Sequence, residues 1–205
     1  LYRRRRARQG ASVVSLVGYT NAGKSTLMRA LSGADVLVQD KLFATLDPVT
    51  RRVTLPGGGA FLLTDTVGFI QKLPTQLVAA FRATLEELSE ASLLLHVVDI
   101  THPDAAEQAQ TVEDTLAELG LADKTCITVL NKADAICGPD GRPIEGLEGL
   151  GEAQASLRYW RPDALLVSAL KGWGLTDLLG RIEAALGLGE EGAAASWGYR
   201  ARPAG

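Results

Sequence analysis

Eight consecutive residues, Gly18-Tyr19-Thr20-Asn21-Ala22-Gly23-Lys24-Ser25, satisfy G-x-x-x-x-G-K-[ST], a pattern whose chemistry is the binding of a polyphosphate. Gly18 and Gly23 have no side chain to hold a ligand off, so the backbone can wrap phosphates closely. Lys24 is expected to offset β- and γ-phosphate charge and the Ser25 hydroxyl to hold Mg²⁺, with Tyr19, Thr20, Asn21, Ala22 and Thr26 completing the cradle. Downstream, Asp65-Thr66-Val67-Gly68 offers a carboxylate for the same Mg²⁺, through a water, and a Gly68 amide to sense the γ-phosphate. D-x-x-G alone marks many turns; its place after a phosphate loop gives it weight. Between the two lies Thr45, expected to lend its hydroxyl to Mg²⁺ and its amide to the γ-phosphate. Thr50 is a rival, and the run Phe43-Ala44-Thr45-Leu46-Asp47-Pro48 tips the choice, with Phe43 counted among the nucleotide contacts. Lys24, Thr45 and Gly68 are the candidate catalytic residues; Ser25, Thr45 and Asp65 are the candidate metal ligands.

Such a loop needs a strand before it and a helix after it. Val13-Val14-Ser15-Leu16-Val17 is a short apolar, β-branched run, and residues 25–31 put Leu27, Met28 and Leu31 on one helical side. Residues 49–55 and 60–64 flank Gly57-Gly58-Gly59 as a hairpin, expected at one side of the sheet. Loops are expected at 34–47 and after Asp65, and a helix over 75–89 with Leu77, Phe81, Leu85 and Leu88 on one face. Residues 93–98 read as a buried strand. Pro103 or Asp104 opens a helix with Ala105, Ala109, Val112, Leu116 and Leu119 inward, stopped by Gly120. Further strands fall at 125–130 and 164–167, a Gly/Pro-rich insertion at 135–151, a short helix at 152–160 and a last helix at 175–186. Strands alternating with helices predict an α/β fold of the P-loop NTPase type: a mainly parallel sheet with one antiparallel strand and helices on both faces. In such sheets ligands sit at the carboxyl ends of the strands, where every motif here falls.

Asn131-Lys132-Ala133-Asp134 closes a predicted strand and matches N-K-x-D. A carboxylate at Asp134 can accept hydrogen bonds from the N1–H and amino group of guanine, a donor pair that adenine lacks. Asn131 is expected to brace the base and the loop, and the Lys132 stem to pack on the base. Ser168-Ala169-Leu170-Lys171 follows the next strand and is expected to offer the Ala169 amide to guanine O6. The ligand is therefore read as GTP or GDP with Mg²⁺.

The rest of the composition narrows the setting. The 205 residues carry 21 basic and 24 acidic side chains, a net −3, yet Arg3, Arg4, Arg5, Arg6 and Arg8 cluster at one end. Without those five, 16 basic face 24 acidic residues, about −8, a poor non-specific nucleic-acid binder. No stretch is apolar enough for a membrane span, no signal peptide opens the chain, and Cys126 and Cys137 suggest no disulfide framework. A cytoplasmic monomer is expected, divided into a basic linker at 1–11, a GTPase domain at 12–187 and a flexible tail at 188–205. His96 reads as a hydrogen-bonded core residue rather than a base, and His102 receives no chemistry.

These motifs together resemble the GTPase domain of the HflX family, within the Ras-like, translation-factor-class GTPases. The residues that carry the resemblance are Gly18 to Leu27, Phe43 to Pro48, Asp65-Thr66-Val67-Gly68-Phe69-Ile70, Val98-Asp99 with His102-Pro103-Asp104, and Asn131 to Asp134. The resemblance covers roughly residues 12–186. It implies GTP hydrolysis and association with the large ribosomal subunit, including the splitting of stalled ribosomes. It also implies an N-terminal domain upstream, of which Arg3–Arg8 would be the linking remnant. Phe69 departs from the glutamine that Ras-type enzymes place after D-x-x-G to orient water, so slow intrinsic hydrolysis is expected. GTPases that use K⁺ resemble this chain in carrying Asn at the position of Asn21; that residue either helps hold K⁺ or only ties down the loop. Two other readings stay open: a nucleotide-gated binding module with negligible turnover, and a GTPase of ribosome assembly or RNA modification.

Overall fold

The computed structural model describes residues 11–33, 49–66, 88–137, 142, 146 and 160–188. Six strands form one sheet: β1 (Val13–Val17), β2 (Val49–Thr54), β3 (Ala60–Asp65), β4 (Leu93–Asp99), β5 (Cys126–Asn131) and β6 (Leu165–Leu166). Their order is β2-β3-β1-β4-β5-β6. All neighbours are parallel except β2 and β3, the expected hairpin at the sheet edge. Three helices are described, α1 (Lys24–Ser32), α2 (Ala105–Glu118) and α3 (Leu175–Leu186). The helices expected at 75–89 and 152–160 lie almost wholly outside the described residues, as do the loop at 34–47 and the tail beyond 188.

Helices on both faces of the sheet explain why the strands read as continuous apolar runs rather than alternating ones. From Leu93 to Val98 every β4 residue is buried. Leu93, Leu95 and Val97 join Val14 and Leu16 of β1, Leu27 and Met28 of α1, and Leu178 and Ile182 of α3 on one face. Leu94 packs with Val112 and Leu116 of α2 on the other, and Val98 with Ala105 and Ala109. Each fully buried Leu or Val contributes about 1.5–3 kcal/mol, so the covered faces hold the sheet together.

β1 is central, and the chain leaves it toward β3 on one side before reaching β4 on the other. That reversal opens a crevice at the carboxyl end of β1, where Gly18 stands. His96 is a core residue, as expected, but its ring makes no hydrogen bond among the described residues. Its Nδ1 lies 3.8 Å from Glu113 Oε1, and its buried Nε2 has no hydrogen-bond partner there. Its two sheet neighbours, Val17 and Thr128, fill the register positions on either side. Both cysteines are exposed free thiols.

Candidate functional site: a phosphate loop joined to a base-recognition wall

The phosphate loop runs from the end of β1 into α1 and is folded against its own backbone. Lys24 Nζ donates to the carbonyls of Gly18 and Tyr19, each at 3.1 Å, curling the side chain over the loop. Burial pushes the Lys24 ammonium down to about 8, with Asp65 pulling the other way. Two glycines are needed for reasons beyond phosphate access. Gly18, at φ 152°, lies so close to the Val97 carbonyl that a Cβ would overlap it. Gly23, at φ 94°, is the residue before α1, and a Cβ there would strike the Asn131 side-chain amide. Asn21 holds a left-handed φ of 62° and is exposed; asparagine tolerates that region better than other side chains. The α1 amides that follow form a positive end suited to phosphate.

At the end of β3, Asp65 is 1% exposed and its Oδ2 accepts a 2.6 Å hydrogen bond from Ser25 Oγ. Hydroxyl and carboxylate oxygens, brought together from α1 and β3, are the hard donors Mg²⁺ takes, so this pair fits the ion. Thr66 Oγ1 donates to the Leu16 carbonyl at 2.5 Å, tying the start of the D-x-x-G loop to β1. Thr50, the rival to Thr45, sits inside β2 with its Oγ1 3.1 Å from Thr64 Oγ1. Thr45, Phe43 and Gly68, like Phe69, lie outside the described residues.

The N-K-x-D motif turns off the end of β5 into a short 3-10 turn, Ala133–Ala135. Asn131 is 2% exposed and bonds in two directions. Its Nδ2 donates to the Ala22 carbonyl at 2.9 Å, and its Oδ1 accepts the Ala169 amide at 3.0 Å. Asn131 therefore braces loop against loop, and its Oδ1 meets the Ala169 amide that is expected at guanine O6. Ser168 Oγ donates to Asp134 Oδ1 at 2.5 Å and accepts the Lys171 amide at 3.0 Å, so Asp134 is oriented by the loop after β6. Leu170 beside it is 67% exposed. Lys132 stands at a left-handed φ of 69° and leans the other way, its Nζ 2.6 Å from Asp99 Oδ2 at the end of β4.

The fold thus brings Gly18 to Thr26, Asp65, Asn131 to Asp134 and Ser168 to Leu170 to the carboxyl ends of β1, β3, β5 and β6. Two contributors escaped sequence reasoning as site residues. Thr66 filled a free position of D-x-x-G, and Asp99 stood only in the run Val98-Asp99 that carried the resemblance. Among the described residues no cluster of three or more His, Cys, Asp or Glu could hold a further metal. His102 lies in the turn before α2, where its Nδ1 accepts the Asp104 amide at 3.1 Å.

The family described as 50S ribosome-binding GTPase matches residues 13–132, more than half of the chain. GTPase HflX of Chlamydia pneumoniae is 49% identical over 177 residues, covering 86% of this chain and 35% of its own. GTPase HflX of Lacrimispora saccharolytica is 45% identical over 185 residues, 90% of this chain and 40% of its own. The chain belongs to the HflX family of GTPases. It spans about a third of the length of the curated HflX relatives it matches. Among solved structures, a GTP-binding protein from Sulfolobus solfataricus in complex with GDP superimposes with a TM-score of 0.63 at 28% identity. That match covers 91% of this chain and 56% of the other. The P-loop GTPase fold and the HflX identity agree with the motifs. No described helix is long and apolar enough to cross a membrane.

Proposed function

We propose that this domain binds GTP and GDP with Mg²⁺ and hydrolyses GTP to GDP and phosphate. In the parent protein, the cycle would switch affinity for the large ribosomal subunit in the cytoplasm and allow stressed ribosomes to be split. The observation that carries the nucleotide reading is the Asn131 bridge, which joins the phosphate loop to the Asp134 and Ser168 wall. One ligand spanning both, triphosphate at one end and a purine at the other, uses every group the bridge aligns. Ser25 and Asp65 would hold Mg²⁺, with Thr45 as the third candidate. When bound, the ion would supply neutralisation of phosphate charge. Lys24 adds positive charge beside it, and Gly68 reads the γ-phosphate. Asp134, steadied by Ser168, selects guanine, since adenine lacks the N1–H and amino donor pair that the carboxylate accepts.

The deciding measurement is equilibrium titration with fluorescent GDP and ADP. A GDP preference of at least about 100-fold, lost in Asp134→Ala, is expected; equal binding of the two would refute the reading. Hydrolysis is then followed in K⁺ and in Na⁺, with and without large ribosomal subunits. Faster turnover in K⁺ supports Asn21 as part of a K⁺ site, and equal rates remove K⁺. Stimulation by the subunits supports the ribosomal role for the domain alone.

A further inference from the structure

Asp99, at the sheet's functional end, accepts three hydrogen bonds among the described residues. It closes β4 and lies in register with Asn131 of β5. Its Oδ1 accepts the Thr101 amide at 3.0 Å and the Thr101 hydroxyl at 2.6 Å, which fixes its rotamer. Its Oδ2 takes the Lys132 ammonium at 2.6 Å, with the Asp99 side chain 11% and the Lys132 side chain 31% exposed. The Lys132 backbone is pinned on both sides as well. The Ile100 amide donates to the Asn131 carbonyl at 3.3 Å and the Ala133 amide to the Val167 carbonyl at 3.0 Å. With both ends fixed, the four Lys132 methylenes have little rotamer freedom left. Because β4 and β6 flank β5 on opposite sides, Lys132 is drawn toward one neighbour and Asp134 toward the other. The two side chains of the motif are therefore anchored on opposite sides of β5.

Resting on the guanine-binding reading above, we propose that Asp99 is a positioning residue for base recognition, holding the Lys132 stem as a preset apolar rail beneath the purine. An unanchored lysine would have to surrender its rotamer entropy on binding; an anchored one has already done so. Burial pushes the Asp99 carboxyl up, but the Lys132 and Thr101 hydrogen bonds outweigh it and hold it below the usual range, so Asp99 is ionised at neutral pH.

The test is the affinity and dissociation rate of fluorescent GDP and GTP for this chain and its Asp99→Ala and Asp99→Asn variants. Immobilising one long side chain costs about 0.5–1.5 kcal/mol, so both nucleotides should bind roughly two- to twelvefold more weakly, mainly through faster release. Asp99→Asn retains an oxygen for Thr101 and guards against a folding defect, which a thermal midpoint would reveal. Lys132→Met keeps an apolar stem that needs no anion. On that background Asp99→Ala should leave affinity unchanged within about twofold. An equal loss on both backgrounds would make Asp99 a structural residue and overturn the proposal, as would unaltered affinity in both Asp99 variants. Wild-type chain that fails to prefer GDP over ADP would instead overturn the guanine reading, and this inference with it.

Discussion

Removing the Asn131 side chain tests whether the phosphate loop and the base wall are one unit. Asn131→Ala leaves the Ala22 carbonyl and the Ala169 amide without the bonds they make at 2.9 and 3.0 Å. Both residues are buried, at 1% and 6% exposure, so water does not easily replace the lost partner. A buried amide group left unpaired costs about 1–3 kcal/mol, so the pair should cost about 3 kcal/mol. At about 2–4 °C per kcal/mol for a chain of this size, the thermal midpoint without nucleotide should fall by about 6–12 °C. The geometry also predicts a coupling. Gly23→Ala should be severe alone, because its Cβ would run into the Asn131 amide. In the Asn131→Ala background that obstacle is gone, and only the strain of alanine at φ 94° remains, about 1–2 kcal/mol. Calorimetry of the two single variants and the double variant measures this directly. If the two losses simply add, or if Asn131→Ala moves the midpoint by less than about 2 °C, the bridge does not join the loops as described.

Two pH effects follow from burial. His96 is pushed down to about 4 by burial, with Arg161 and Lys24 adding to it, although Glu113 stands near Nδ1. The native protein then resists protonation where the unfolded chain accepts it, so stability falls as pH drops from about 6.5 toward 4. The full loss is roughly 3 kcal/mol at 1.36 per pH unit; Asn at position 96 should flatten this window in urea titrations. Lys24 has a folded value of about 8, below its ordinary 10.5. Between those values the unfolded chain binds more protons, so the nucleotide-free protein should gain stability as pH rises from 8 to 10.5. Lys24→Met should lack that gain; an identical pH profile for wild type and variant would refute the burial argument.

The chain's local patterns determined a great deal. The phosphate loop, N-K-x-D and the strands that precede them are contiguous in sequence, because a strand, a tight turn and a helix start are built from neighbouring residues. The expected strand at 13–17 and helix at 175–186 match β1 and α3 residue for residue, and the Gly57–Gly59 hairpin sits at the edge as read. What only the tertiary structure decided involves residues far apart in the chain. Asn131 bonds to Ala22, 109 positions away, and Ser25 to Asp65, 40 away. No periodicity records such pairings. That is why Asn131 could be read as bracing the base and the loop without its partners Ala22 and Ala169 being named, and Gly23 only as room for phosphate. His96 shows the same boundary: its apolar strand announced burial, but the missing hydrogen bond depended on where α2 placed Glu113. Hydrophobic pattern sets which way a side chain faces; the partner it meets is set by how the sheet orders its strands.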